Sequence, residues 1–279
     1  MMNQIIAKKK LSENIVKIDI KAAEIMLACK PGHHVFIKMF KESKPLPVVI
    51  SKVNQHEGVV SLFIHTIGVA QRKLAAMSIG DILFDVSGPS GHSVEIKRYG
   101  TVVCAAGGVG IVPLYPIVDA MKAAGNKVIV VLGASSGQYI LLKDEMQLLA
   151  DELIIMTDDG SLGREGMVTD ALKQLFYREK VDRVVTSGPI KMIKNSSALT
   201  HMFNIPIVAT LYSINTDGNS DTGIYRVSVL PNSKYICVDG IDFNAFYPDF
   251  ETMNNRMGQR LINDYSGNQS YPNHQLVQY

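Results

Sequence analysis

Cysteine is scarce in this chain of 279 residues. Cys29, Cys104 and Cys237 are odd in number and far apart, which excludes a disulfide framework and fits a reducing compartment. An excess of charge of one sign is also missing. Lys and Arg total 28 against 26 Asp and Glu, a formal charge of +2, so bulk electrostatics give no support to nucleic-acid binding. The run Lys8-Lys9-Lys10 reads as a solvated strand end. No apolar stretch reaches membrane-spanning length, and segment 127–133 is far too short. The N-terminus lacks the apolar core and small-residue cleavage site of a signal peptide. His33, His34, His65 and His92 have no metal-ligand spacing. The expectation is a cytoplasmic protein with no metal site and with neither membrane nor nucleic acid as a partner. What the chain does have is apolar residues, 47% hydrophobic against 19% charged, enough for one large domain or two modest ones.

Residues 1 to about 98 read as closely spaced short strands. Ile15–Ile20 alternates apolar and polar residues, and His34–Phe40, Pro47–Val53 and a run opening at Gly58 follow. Val69–Met77 reads as a short helix, and Asp81–Val86 leads into a turn at Gly88-Pro89-Ser90-Gly91. This pattern predicts a closed antiparallel barrel. The texture changes at Gly100. Thr101–Ala105 is a continuous apolar run, as in a strand buried on both faces. Further such strands follow at Val128–Leu132, Leu153–Met156 and Arg183–Thr186. Helices are predicted through Met121, over Ile140–Ala150 and over Met167–Leu175. Alternating strands and helices predict a parallel sheet covered on both faces. Ile214–Gly223 reads as a loop, Arg226–Leu230 and Lys234–Val238 as a hairpin across Pro231-Asn232, and residues from about 264 onward as a polar tail.

Three polar, glycine-bearing turns follow predicted parallel strands: Gly107-Gly108-Val109-Gly110, Thr157-Asp158-Asp159-Gly160 and Ser187-Gly188-Pro189. Glycines in a strand-to-helix turn let backbone N–H groups approach a phosphate. Such a turn alone serves plain packing as readily, and the Gly-x-Gly-x-x-Gly spacing is absent. Three of them at one sheet edge point to a binding crevice, because ligands of open parallel sheets bind at the carboxyl ends of the strands.

The order Gly-Pro-Ser-Gly-His at 88–92, GGVGIVPLYPI at 107–117, DDGSLGREG at 158–166 and SGPIKMIK at 187–194 resembles the small subunit of NADH-dependent ferredoxin–NADP reductase. It is similar in the same way to sulfide dehydrogenase and to the electron-transfer subunit of dihydroorotate dehydrogenase. The resemblance covers roughly residues 5–250. It implies a ferredoxin reductase-like fold, a β-barrel plus α/β. An FAD-binding-type barrel would occupy 1–98 and an NAD(P)-binding α/β domain 99–212. A degenerate iron–sulfur-type loop and hairpin would occupy 213–250, and a C-terminal tail 251–279. It also implies that Gly107, Gly108, Gly110, Pro113, Asp158, Asp159, Gly160, Gly188 and Pro189 hold the pyridine nucleotide, and that Pro47, Val48, Val49, Gly68, Gly88 and Pro89 line a flavin site. No side chain acts as an acid, base or nucleophile in such chemistry, which the cofactors carry.

The chain departs from that family at three places. Ser135 follows Gly133-Ala134 where the family often has Arg, which favours NAD over NADP or weakens both. Pro45 and Val49 stand where the flavin site has Arg and a hydroxyl, with Lys44 and Ser51 nearby but out of register, and Gly68-Val69-Ala70-Gln71 replaces a second flavin element. FAD would therefore lose a guanidinium–phosphate contact. In the last loop Thr222 and Tyr225 occupy cluster-cysteine positions, leaving Cys237 and Asp217, so no 2Fe–2S cluster is expected. Cys104 reads as a buried strand residue, and His92 lies in the turn the family places near the flavin. Two readings stand. One is an oxidoreductase subunit passing electrons between NAD(P)H and flavin beside a larger flavoprotein subunit. The other is a non-catalytic paralogue acting as a nucleotide-binding or scaffolding subunit. Phe243, Phe246, Tyr247 and Phe250 are candidates for a partner interface or for core packing.

Overall fold

The computed structural model describes residues 2–66, 68–90 and 93–210, together with three short strands at 226–228, 233–235 and 242–244. The N-terminal sheet is built from β1 (Ile5–Lys10), β2 (Ile15–Lys21), β3 (His34–Lys38), β4 (Leu46–Asn54), β5 (Val59–His65) and β6 (Asp85–Ser90), with helices α1 (Ala23–Met26) and α2 (Val69–Ala76) between strands. Every pairing is antiparallel, in the order β1-β2-β5-β4-β3-β6. The sheet closes where β1 meets the segment entering β6. Ile5 N–H donates to Asp81 O at 2.9 Å, Gly80 N–H to Ile5 O at 2.8 Å and Leu83 N–H to Asn3 O at 2.9 Å. Alternation sends Ile18, Ile20, Val35, Ile37, Leu62 and Ile64 into the barrel core. Lys8, Lys9 and Lys10 are exposed at the end of β1, as their sequence suggested.

The second sheet takes β7 (Thr101–Gly107), β8 (Lys127–Ala134), β9 (Glu152–Thr157), β10 (Arg164–Glu165), β11 (Arg183–Ser187) and β12 (Ile207–Thr210), with helices α3 (Ile111–Ala123), α4 (Lys143–Leu149), α5 (Val168–Arg178) and α6 (Ile190–Met202). These strands run parallel in the order β10-β9-β8-β7-β11-β12. One face packs under α3 and α4, through Ile117, Met121 and Met146. The other packs under α5 and α6, through Leu172, Leu175 and Ile193. The expected barrel followed by a parallel sheet is what the chain forms. A hairpin of β13 (Arg226–Ser228) and β14 (Ser233–Tyr235) and an edge strand β15 (Asp242–Asn244), antiparallel to β12, complete the described elements.

Three local expectations are corrected. The turn expected at Gly88-Pro89-Ser90 is the second half of β6, paired with β3. β6 ends the strand order of its sheet, where a proline costs no ladder hydrogen bond. The helix expected over Ile140–Ala150 begins only at Lys143, because Leu142 takes a left-handed conformation (φ 54°) and its side chain is buried. Helix α5 runs three residues past Leu175, and there Arg178 reaches Glu152, with Nη1 2.8 Å from Oε1.

Barrel and α/β sheet share a core cluster. Ile15 and Phe63 from the outer face of the barrel pack with α3 and β7 residues, joined by Val49 and Tyr115. The Phe63 and Tyr115 rings meet edge to face at 5.7 Å.

Candidate functional site

The strand order reverses at β7. The chain leaves it for β8 on one side and returns through β11 on the other, which makes the gap above β7 and β11 the topological switch point, the usual ligand crevice of such sheets. Two of the three glycine turns meet there. After Gly107, Gly108 takes a left-handed conformation (φ +53°), a 3-10 turn covers Gly108–Gly110, and α3 begins with no side-chain cap on its first N–H groups. Pro113 sits in that first turn, where its missing N–H takes no bond from the helix.

The turns after β7 and β11 interlock through absent side chains. A Cβ on Gly107 would lie 2.7 Å from Pro189 Cδ and 2.8 Å from Met192 Sδ. One on Gly188 would lie 2.9 Å from Gly107 N, and one on Gly110 would collide with the Ser187 carbonyl. Gly108 faces the opposite way, with nothing within 4 Å of its Cβ position. The result is a closed backbone floor with an open approach to the N-terminus of α3, the arrangement a pyrophosphate requires. Ser187, the residue before Gly188, has a fully buried Oγ with no hydrogen-bond partner among the described residues. The sequence reading placed Ser187 in the turn but not among the binding residues. Its signal, a polar side chain at the end of an apolar strand, was visible.

The third turn lies farther along the same edge and is stitched to the turn after β8. Asp159 accepts from Ser161 N–H at 3.0 Å and from Ser161 Oγ at 2.6 Å. Ser161 Oγ also accepts from Gly137 N–H at 2.8 Å. These Ser161 hydrogen bonds hold the Asp159 carboxyl below the usual carboxylate range. Asp159 is thus a turn builder, Gly160 supplies the left-handed residue (φ +67°), and Asp158 is exposed beside them.

The six flavin-site residues divide. Pro47 and Val49 are half-buried, and Val49 packs on the shared cluster with Phe63 and Tyr115. Val48 is inside the barrel core, so its side chain is not on that face. Gly68 begins α2, again without a side-chain cap. Gly88 and the cis Gly88–Pro89 bond lie against β3, and a Cβ on Gly88 would come within 3.3 Å of His34 O. Lys44 and Pro45 are exposed. Ser51 does not replace the hydroxyl missing at Val49. It lies at a register shift between β4 and β5, is buried, and donates to Ser61 O at 3.0 Å. His65, the last residue of β5, is only 7% exposed, and its Nδ1 has no partner among the described residues. An apolar and aromatic outer face, an uncapped helix start and an orphaned buried imidazole fit a flavin with one cationic contact fewer than the family pattern supplies. The cluster-type loop at 217–225, Cys237, His92 and the side chain of Phe243 lie outside the described residues, as do Phe246, Tyr247 and Phe250.

Residues 105–198 match the family model of the oxidoreductase NAD-binding domain. Over 258 residues the chain is 34% identical to the dihydroorotate dehydrogenase B (NAD(+)) electron transfer subunit homolog of Thermotoga maritima, covering 92% of this chain and 91% of that protein. The chain belongs to the dihydroorotate dehydrogenase electron-transfer-subunit family. A probable member from Methanopyrus kandleri is 32% identical over 179 residues, covering 64% of this chain and 66% of that protein. Among solved structures, this family member is similar to a chain of the NADH-dependent reduced ferredoxin–NADP oxidoreductase. The TM-score is 0.83 at 32% identity, covering 96% of this chain and 98% of that one. The likeness to a ferredoxin–NADP+ reductase from Neisseria gonorrhoeae, with a TM-score of 0.58 at 14% identity over 76% of this chain and 98% of that one, is one of fold. The resemblance carried by the motifs is borne out. No helix among the described residues is long and apolar enough to cross a membrane.

Proposed function

We propose that this chain is the electron-transfer subunit of a larger oxidoreductase, holding NAD(P)H in the crevice above β7 and β11 and FAD against the outer face of the barrel. The observation that carries this reading is the interlocked pair of glycine turns at the switch point, joined to the barrel by α3. Tyr115 follows Gly110 by five residues, about 7 Å along the helix, and touches Phe63 of the barrel. One element therefore sets the spacing between the two cofactor faces.

When bound, the two cofactors supply the redox chemistry, the exchange of a hydride between nicotinamide and flavin. The chain supplies position. The first N–H groups of α3 meet a pyrophosphate, Gly108 leaves room for it, and Gly188 and Pro189 form the opposite wall. The N–H groups at the start of α2 offer a second such site on the barrel. Val49, Phe63 and Tyr115 keep water from the space between.

We infer also that the chain carries no 2Fe–2S cluster. Cys104 is fully buried in the middle of β7, its thiol pushed up to about 12 by burial. The Cys29 thiol donates to Ile25 O in the barrel, and burial pushes it up to about 11. Neither is held as a thiolate, and a cluster needs several.

One measurement tests both statements, the visible spectrum of the purified protein alone, with added FAD, and after NADH. The expected result is flavin bands bleached by NADH, with no cluster absorbance and substoichiometric iron and sulfide. A spectrum that stays featureless after FAD would overturn the flavin reading and leave a nucleotide-binding or scaffolding subunit. Stoichiometric labile sulfide would overturn the cluster statement.

A further inference from the structure

His65 is a buried polar group that the barrel does not explain. Two buried or part-buried polar side chains on β4 and β5 are satisfied from within the barrel. Ser51 donates to Ser61 O, and Ser61 Oγ donates to Asp19 Oδ1 at 2.6 Å. His65 Nδ1 has no such partner among the described residues, although the residue is more than nine-tenths buried. Leaving a buried polar atom unmatched costs stability, and an aliphatic residue at this position would avoid that cost.

Its place in the fold narrows what it serves. His65 ends β5 opposite Ile15, on the outer strand face that also carries Phe63. Ile15 and Phe63 both belong to the cluster joining the barrel to α3. Three residues farther on, Gly68 opens the uncapped start of α2. His65 thus ends the strand that carries the aromatic face, just before the uncapped start of α2.

We propose that His65 is the positioning residue that hydrogen-bonds the bound flavin, in place of the hydroxyl absent at Val49. This rests on the flavin reading above. Burial pulls the imidazole pKa down to about 4, so at neutral pH the ring is uncharged and offers one donor and one acceptor. The polar edge of an isoalloxazine carries both kinds of partner.

The test is a fluorescence titration of the full chain with FAD, comparing wild type with His65→Val, His65→Gln and the double variant Val49→Thr/His65→Val. His65→Val is expected to weaken FAD binding about tenfold, the equivalent of one hydrogen bond, and to shift the bound-flavin absorption bands. His65→Gln and the added Val49→Thr are each expected to restore most of the loss. Should His65→Val fail to fold, 15N-histidine NMR of the wild type decides. The imidazole whose signals are missing from His65→Gln must move its Nδ1 resonance when FAD is added. Folded variants that bind FAD as the wild type does, with unchanged bands, would overturn the proposal while leaving the flavin reading intact, as would an unmoved Nδ1 resonance in wild type that binds FAD. A wild type that takes up no FAD overturns both.

Discussion

Replacing Gly110 with alanine is expected to unseat the nucleotide crevice, whereas the same change at Gly108 should leave the fold standing and remove only the ligand. The two positions are two residues apart and face opposite ways. At Gly110 the new methyl would fall on the Ser187 carbonyl and on Gly188 N, both backbone, so the start of α3 must move away from the end of β11. Overpacking of this kind costs about 1–3 kcal/mol or somewhat more, a fall in Tm on the order of 5 °C for a chain of this size. It also breaks the alignment of the two turns, so NADH affinity should fall with stability. At Gly108 the methyl meets nothing within 4 Å, and the structural cost is the left-handed conformation alone, about 1 kcal/mol. The methyl would stand in the open approach to the α3 N–H groups, so NADH affinity should fall about tenfold or more, a loss of at least about 1.4 kcal/mol in binding. Thermal denaturation and NADH titration of both variants separate the two effects. A Gly108→Ala protein that binds NADH like wild type would show that this turn is not the phosphate site.

The contrast marks how far the sequence could be read. The apolar runs at Thr101–Ala105 and Val128–Leu132 and the turns that follow them have few alternatives in a chain of this kind, so the parallel sheet and its crevice were legible. What was not legible depended on contacts between distant segments. That Gly110 is silent packing and Gly108 an open approach follows from where Ser187 lies, 77 positions later in the numbering of the chain. That Ser51 cannot stand in for a hydroxyl at Val49 follows from a register shift between β4 and β5 that no local pattern announces. That Asp159 is bonded to Ser161 was not legible either, because a short acidic side chain in a turn can take nearby N–H and O–H donors or a ligand, and the sequence does not say which. His65 was passed over because a single histidine in a strand-forming run carries no spacing to read. Its burial and an Nδ1 unmatched among the described residues are visible only in the fold.

The second large effect is expected at Asn126, which no motif includes. Its side chain is 4% exposed and uses its whole bonding capacity on the connection between barrel and α/β sheet. Oδ1 accepts from Tyr99 N–H at 2.6 Å and from Gly100 N–H at 3.1 Å. Nδ2 donates to Lys97 O at 2.9 Å and to Met121 O at 2.8 Å. Around it, Tyr99 lies under Arg183 and beside Lys97 and donates its hydroxyl to Glu95 Oε2 at 3.0 Å, while Asp182 accepts from Thr101 N–H at 2.9 Å. Asn126→Ala strands these groups and should cost about 3 kcal/mol, lowering Tm on the order of 10 °C. Asn126→Asp is the sharper probe. It keeps the acceptor for Tyr99 and Gly100 but turns a second oxygen toward the Lys97 and Met121 carbonyls. The buried, repelled carboxylate would have a folded-state pKa above its unfolded value near 3.9. Its destabilisation is then full above the folded pKa and is relieved as pH falls toward the unfolded one, because the protonated acid can donate to a carbonyl. The variant should therefore gain stability relative to wild type on going from pH 7 to pH 5. NADH affinity should change little, since the crevice is at the other end of β7, while reduction of bound FAD by NADH should slow as the connection between the two cofactor faces loosens. Melting curves of wild type and Asn126→Asp at pH 5, 6, 7 and 8 check the sign. A difference in Tm that is flat across that range would mean that the second oxygen does not face the two carbonyls.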